Sequence, residues 1–173
     1  MAITLGTTSP PGVGGFGFST GGDIWTTAYT LTGAGAGATF TEIRVRAKNN
    51  HATVPLRVRG VVYDNSGNLV DWGSYTLPGG SAEQVVALPL TAAAADGTYK
   101  IGIQGEHSFV SYWMSTSGVT TTTYFTDSGG ISFGSAPPNP WTPGASHANW
   151  QIGAAVDVSA AAAPTFVPQI TIL

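Results

Sequence analysis

Residues 40–76 read FTEIRVRAKNNHATVPLRVRGVVYDNSGNLVDWGSYT, and this stretch decides the fold class. Successive side chains of a strand point to opposite faces of a sheet. In the first run Phe40, Glu42, Arg44, Arg46 and Lys48 fall on one face, and Ile43, Val45 and Ala47 on the other. That is the pattern of a half-buried strand with a charged outer side. The second run repeats it, with Arg57 and Arg59 set against Leu56, Val58 and Val62. Between the runs, Asn49-Asn50-His51-Ala52-Thr53 is a polar loop whose adjacent asparagines tolerate positive φ. Tyr63-Asp64-Asn65-Ser66-Gly67-Asn68-Leu69 then ends one strand and opens the next through a tight connection. The stretch predicts a three-stranded antiparallel meander with one apolar and one basic face.

The same reading extends outward. Residues 24–32 are β-branched and aromatic, as strands are. Residues 83–90 are strand-like but contain Pro89, which places them at an edge or a strand end. Residues 97–104 alternate, with Tyr99, Ile101 and Ile103 on one face and Lys100 and Gln104 on the other. Residues 108–115, 120–126 and 150–158 complete the regular part, whereas residues 134–149 hold four of the 11 prolines and read as a long loop. About ten strands separated by turn signals, with no helical periodicity, predict an all-β fold. The expected architecture is an antiparallel two-sheet β-sandwich, jelly-roll-like, with extended N- and C-terminal arms. The domain expectation is a Gly-rich arm over 1–22, the sandwich over 23–158 and an extended tail over 159–173.

Composition bounds the function. Of 173 residues only 9% are charged, against roughly 25% in ordinary soluble domains. The surface is therefore neutral and polar, which suits packing against other subunits as well as it suits water. A net charge of −3 gives no argument for a nucleic-acid or a membrane partner. There is no cysteine, hence no disulfide and no thiolate metal site. Residues 1–20 carry neither Lys nor Arg and no continuous apolar core, so no secretory signal is read there. A surface-type sandwich without an export signal or disulfides is what a virus released by lysis would encode.

The succession FTEIRVRAK, LRVRGVVYDNSGNLV, ALPL, DGTYKIGIQ and SYWMS is similar to the jelly-roll sandwiches that occur as carbohydrate-binding modules. It also resembles their bacteriophage relatives in head decoration proteins and in tail or fibre tips. The YD–turn–LV hairpin and the DGTYKIGI strand carry the likeness, over about half of the chain. The resemblance implies binding or cementing, a place on the virion and the major capsid protein as partner. It supplies no catalytic residue. The Gly-rich arm and the apolar tail look like the arms of a capsid accessory protein, and a homo-oligomer is expected.

Candidate site residues follow from chemistry. His51, His107 and His147 have no ligand spacing, and no metal or other cofactor is expected. The carboxylates are scattered, with no sign of the paired acids of a glycosidase. Asp64-Asn65-Ser66-Gly67-Asn68 reads as a hairpin turn, with a calcium loop as the other option. Neither a nucleophile elbow nor a phosphate-binding loop is present, and no enzymatic activity is expected. Two kinds of binding remain.

For protein docking the candidates are Arg44, Arg46, Lys48, Arg57 and Arg59, five of the 6 basic residues, read as one sheet surface. That surface is either solvated or seated on an acidic partner, where guanidinium groups pair bidentately with carboxylates. Phe16 and Phe18 in the N-terminal arm, and Ile170, Ile172 and Leu173 in the tail, are expected to be intermolecular or late-docking elements, with packing on the parent domain as the other reading of the two phenylalanines. Each such side chain is worth about 1.5–3 kcal/mol when buried. For the alternative, glycan stacking, the candidate rings are Trp72, Trp113 and Trp141, with Trp141 foremost because of its Pro-rich loop. Trp25 and Trp150 are assigned to the core.

Overall fold

The computed structural model describes residues 2–9, 14–18, 22–116, 118–126, 133–134 and 136–159. In chain order the strands are β1 (Ile3–Thr7), β2 (Gly14–Gly17), β3 (Ile24–Leu31), β4 (Thr39–Asn49), β5 (Leu56–Asp64), β6 (Leu69–Leu77) and β7 (Gln84–Pro89). They continue as β8 (Gly97–Gly105), β9 (Val110–Ser115), β10 (Thr122–Thr126), β11 (Ala145–Ala148), β12 (Gln151–Ile152) and β13 (Ala154–Ser159). Two antiparallel sheets result. Sheet A follows the path β1-β13-β4-β9-β12, with β2 on β9 and β7 on β4. Sheet B has the order β11-β10-β3-β8-β5-β6. The chain passes repeatedly from one sheet to the other, as a jelly-roll-like β-sandwich requires.

The inward alternation of β4 meets that of β5 and β8. Ile43, Val45 and Ala47 belong to one core with Val58, Val62, Ile101 and Ile103. The sheets approach closely where a side chain is missing. A Cβ on Gly60 would lie 2.7 Å from Ile43 Cγ2, and one on Gly73 would lie 2.6 Å from Leu88 Cβ. The DGTYKIGI strand is β8, and it pairs with β3 and β5 on its two sides. The YD–turn–LV connection is the β5–β6 hairpin, with Gly67 at φ 88°. Asp64 Oδ1 accepts from Asn68 N and Oδ2 from Asn68 Nδ2, both at 2.8 Å, so the turn's own amides occupy its carboxylate.

The three-stranded meander is corrected. β4 does not pair with β5. It pairs with β13, β7 and β9, while β5 pairs with β6 and β8 in the other sheet. The polar loop between them is a crossover, and Asn49 holds it. Its buried Nδ2 donates to the carbonyls of Val54, Leu77 and Pro78 at 2.9, 3.1 and 3.1 Å, and its Oδ1 accepts from His51 N at 2.9 Å. A buried amide that ties both ends of an arch replaces the ladder bonds a hairpin would have made. A second correction concerns Phe40. A bulge in the β4–β13 register between Asp157 and Val158 shifts its parity, and the ring turns into the core.

The N-terminal stretch contributes two strands to sheet A. β1 pairs with β13, and β2 pairs with β9. Phe18 is a core residue packed on Tyr112 at a centroid distance of 4.6 Å, and Phe16 lies 6.4 Å from the same ring at the sheet edge. Phe18 therefore serves the parent sandwich, whereas the Phe16 ring on β2 stays 37% exposed at the edge. Ile170, Ile172 and Leu173 lie outside the described residues.

Candidate functional site

The five cations expected on one surface are divided between two. Arg44, Arg46 and Lys48 stand on the outer face of sheet A, in a row with Glu42. Arg57 and Arg59 stand on β5, on the outer side of sheet B. Alternation gave each side chain its face correctly, but the crossover at Asn49 sends the two strands to opposite sides of the molecule.

On sheet A the charges are tied in pairs. Arg44 Nη2 donates to both oxygens of Asp157, at 2.7 and 3.0 Å, and Arg44 Nε lies 3.5 Å from Glu42 Oε1. Asp157 also accepts from Thr4 Oγ1 at 2.6 Å. Arg46 pairs with Glu83, and its guanidinium lies over the Trp113 ring at 5.1 Å. Trp113 is thus covered by Arg46 on the face that stacking with a sugar would need. Val85 and Ala87 of β7 flank the row, opposite Arg46 and Arg44 in register. The result is a surface on which Arg44 and Arg46 are matched by carboxylates, with small apolar side chains beside them.

On sheet B, Arg57 makes a fork with Glu106. Its Nε and Nη2 reach Oε1 at 3.0 and 2.6 Å, and its backbone N reaches Oε2 at 2.7 Å. These bonds hold the Glu106 carboxyl below its ordinary range and push the Arg57 guanidinium further up. Arg59 is only 2% exposed. Its guanidinium lies between the rings of Phe133, at 3.9 Å, and Trp72, at 4.9 Å. It donates to Gln104 Oε1 at 3.2 Å and to the Gly134 carbonyl. Burial lowers its pKa. Arg59 is a structural cation, enclosed by rings and carbonyls, and takes no part in an exposed basic patch.

What encloses Arg59 is the Pro-rich segment. From residue 133 to residue 144 its described part lies against the outer face of sheet B as a strap. Trp141 is 2% exposed and forms a second apolar cluster with Ile24, Val61 and Tyr63, flanked by Leu69, Trp72 and Tyr124. Its backbone N donates to Gly67 O at 2.8 Å, Tyr63 Oη donates to Pro138 O at 3.2 Å, and Leu69 N donates to Asn139 Oδ1 at 3.0 Å. Burial under the strap pushes the Tyr63 hydroxyl pKa up, against a smaller opposing pull from Arg59. Trp141 is therefore corrected from a surface platform to the anchor of a strap, because the outer face it covers is itself apolar. Trp72 is half-buried beneath Arg59.

The signal for the strap was present in Gly60-Val61-Val62-Tyr63. A run that is apolar on both parities belongs to a strand covered on both sides. Sequence reasoning also missed one exposed ring. Phe109, 45% exposed, stacks on His107 at 5.1 Å and meets the edge of His51 at 5.2 Å, where the crossover loop and the β8–β9 turn come together. Backbone N–H groups of Thr53 and Val54 donate to His51 Nδ1, and that of Phe109 to His107 Nδ1, so both imidazoles serve as local turn acceptors. Among the described residues no group of three His, Cys, Asp or Glu side chains converges to hold a metal ion. No protein-family model and no curated protein sequence matches the chain.

Proposed function

We propose that the protein is a non-enzymatic structural component of a bacteriophage virion, a decoration or cement protein. It seats on the outer surface of the head and stabilises the shell, with the major capsid protein as its partner and further copies of itself as neighbours. The observation that carries this reading is the outer face of sheet A. Arg44 and Arg46 there are already matched to Asp157, Glu42 and Glu83, with Val85 and Ala87 exposed beside them. A pre-paired surface enters an interface without leaving a lone charge in a dry environment, which is the costly case. The docking set accordingly narrows to Arg44 and Arg46 with their β7 neighbours. Arg57 and Arg59 serve the other sheet.

The test is cosedimentation of purified protein with particles assembled without it, over a salt series. Wild-type protein is expected to bind. Ala87→Glu, which adds a carboxylate beyond the three that already match Arg44 and Arg46, is expected to lose at least about tenfold in affinity, about 1.4 kcal/mol. Equal binding by Ala87→Glu, or none by the wild type, overturns the reading. A glycan array run in parallel addresses the alternative. Sugar binding by a monomer that ignores the particles would favour a carbohydrate-binding module or a receptor-binding tip.

A further inference from the structure

Sheet A stops at β7, and among the described residues β7 pairs with β4 alone. Just beyond it, Leu90 N donates to Thr41 O at 2.9 Å. Antiparallel ladders alternate, so Leu88 and Val86 bond to β4, while Val85 and Ala87 aim their N–H and C=O groups away from it. Pro89, which has no N–H to offer, shares their phase. The side chains alternate in step. Val86 and Leu88 are buried in the core, and Val85 and Ala87 are exposed on the outer side.

Edge strands of monomeric proteins are commonly guarded by charges, bulges or proline. Residues 84–90, QVVALPL, contain no charge, and the β4–β7 register runs without a bulge. Pro89 is a guard at the very end of the strand. Below that end, Asp71 of β6 accepts from Thr91 N and Ala92 N at 2.7 and 2.8 Å and ties the two sheets together. The other end is uncovered. Tyr75 on β6 pairs with the core residue Val58, so its ring is on the inward side, yet it is 41% exposed. Gly73 lies beneath Leu88, and the register places Tyr75 two residues further along, beneath Val86. Val85, on the outer side of the same edge, is 49% exposed.

The occupant that fits this edge is a second copy of the same strand, because β7 is complementary to itself. Set antiparallel about a two-fold axis through Val86, Val85 of each copy stands opposite Ala87 of the other. Every Val85 and Ala87 then both donates and accepts across the seam, and Pro89 falls outside the bonded pairs, where its missing N–H loses nothing. Moving the axis to Ala87 sets Val85 against Pro89 and leaves the Val85 carbonyl without a donor. The side chains agree with the first register. Val86 meets Val86 in a non-hydrogen-bonded pair, the closer kind, above the two Tyr75 rings. On the outer side Val85 meets Ala87, and Glu83 falls opposite Pro89. No charge stands directly opposite a like charge, since Arg44 and Arg46 lie one strand back on β4, held by Asp157, Glu42 and Glu83.

We infer that two copies of the protein join β7 to β7, antiparallel, as a homodimer with one continuous sheet A. The two-fold axis stands perpendicular to that sheet. Both outer faces therefore lie on the same side of the dimer, where Arg44 and Arg46 of the two copies form one doubled surface, and both straps are turned the other way. A partner with repeated sites is then held at two points at once. The pairing comes from the strand edge alone, does not rest on the virion reading, and is tested in solution without particles.

Sedimentation equilibrium of the full chain is expected to show a monomer–dimer equilibrium, and a monomer at every concentration up to about 1 mM overturns the inference. Amide exchange followed by NMR locates the seam. The Val85 and Ala87 N–H groups are expected to slow at least about tenfold as dimer content rises. Exchange that stays fast in the dimer, or is already slow in the monomer, overturns it. Ala87→Pro removes a donor that the ladder to β4 does not use, so the dimer dissociation constant is expected to rise at least about tenfold while circular dichroism stays unchanged. An unchanged constant counts against the seam. A covalent trap fixes the register, since the chain has no cysteine of its own. Val86→Cys puts two sulfurs beside the axis, on Cα atoms about 4.5 Å apart, and is expected to give linked dimers on mild oxidation. Ala87→Cys leaves its Cα atoms about 8–9 Å apart, beyond the roughly 7 Å a disulfide spans, and is expected to stay unlinked. Linking through Ala87→Cys and not through Val86→Cys overturns the pairing.

Discussion

Replacing Trp141 by alanine separates a buried anchor from a surface platform. The indole is enclosed by Ile24, Val61 and Tyr63 on one side of sheet B, with the Tyr63 ring centroid at 5.1 Å. A tryptophan buries about 150–250 Å². At about 25 cal/mol per Å² the transfer term alone is about 4–6 kcal/mol. Part of it returns, because a strap at the surface collapses or swings away more readily than a central strand. The range measured for large aromatic truncations, about 3–5 kcal/mol, is therefore the expected loss. Urea denaturation followed by far-UV circular dichroism checks this, with the midpoint falling and the slope nearly unchanged. The parallel change Tyr75→Ala, at an exposed ring, should cost much less. A loss below about 1 kcal/mol for Trp141→Ala, within the range of an ordinary surface change, would show that the ring is not buried, and the strap as described would be wrong.

Three further outcomes follow from the same geometry. Asn49→Leu removes the donor to the Val54, Leu77 and Pro78 carbonyls and should cost about 2–4 kcal/mol by chemical denaturation; a neutral result would mean that the crossover does not depend on the amide. Arg59→Lys keeps the charge but gives up the planar contact with Phe133 and Trp72, so exchange in residues 133–144 should accelerate and stability fall by about 1–2 kcal/mol; unchanged exchange there would count against the clamp. The Glu106 carboxyl is depressed chiefly by the hydrogen bond from Arg57, so its contribution is full above its ordinary value of 4.5 and is lost as pH falls through the lowered folded value. Both groups are partly exposed, which keeps the effect under about 1 kcal/mol. The gap in Tm between wild type and Glu106→Gln should therefore close on acidification, and a gap constant with pH would rule the linkage out.

Much of the sandwich was legible because its strands are half-buried. Alternation in residues 43–48 and 99–104 states which side chains face the core, and the core contains those residues. The hairpin at residues 63–69 announces itself through Asp64 and Gly67, whose side-chain acceptor and positive φ make the turn. Alternation is silent on which strand lies beside which. Two consecutive amphipathic runs joined by a polar loop look the same whether the loop folds back within a sheet or arches between sheets. Asn49, buried and bonded to the Val54, Leu77 and Pro78 carbonyls, holds the arch, and the last two of those partners are distant in sequence. The basic set failed for the same reason, because its members shared a parity without sharing a sheet. Trp141 was misplaced because prolines mark the absence of ladder pairing and carry no information about exposure. Phe16 and Phe18 were read as an arm because glycine density hides a short edge strand that depends on β9 for its bonds.

The strap over sheet B makes the two broad sides of the molecule unlike. A sandwich bare on both sides presents two competing contact planes, and copies of it stack without limit. Here one plane is dressed by the described part of the chain's own Pro-rich segment, which engages Arg59, Tyr63 and Trp141, and among the described residues that strap has no counterpart on the other plane. The protein thus has an up and a down before it meets anything. On the proposed reading, a layer built through the outer face of sheet A ends after one molecule and shows the strap to solvent, as a tile does and a brick does not.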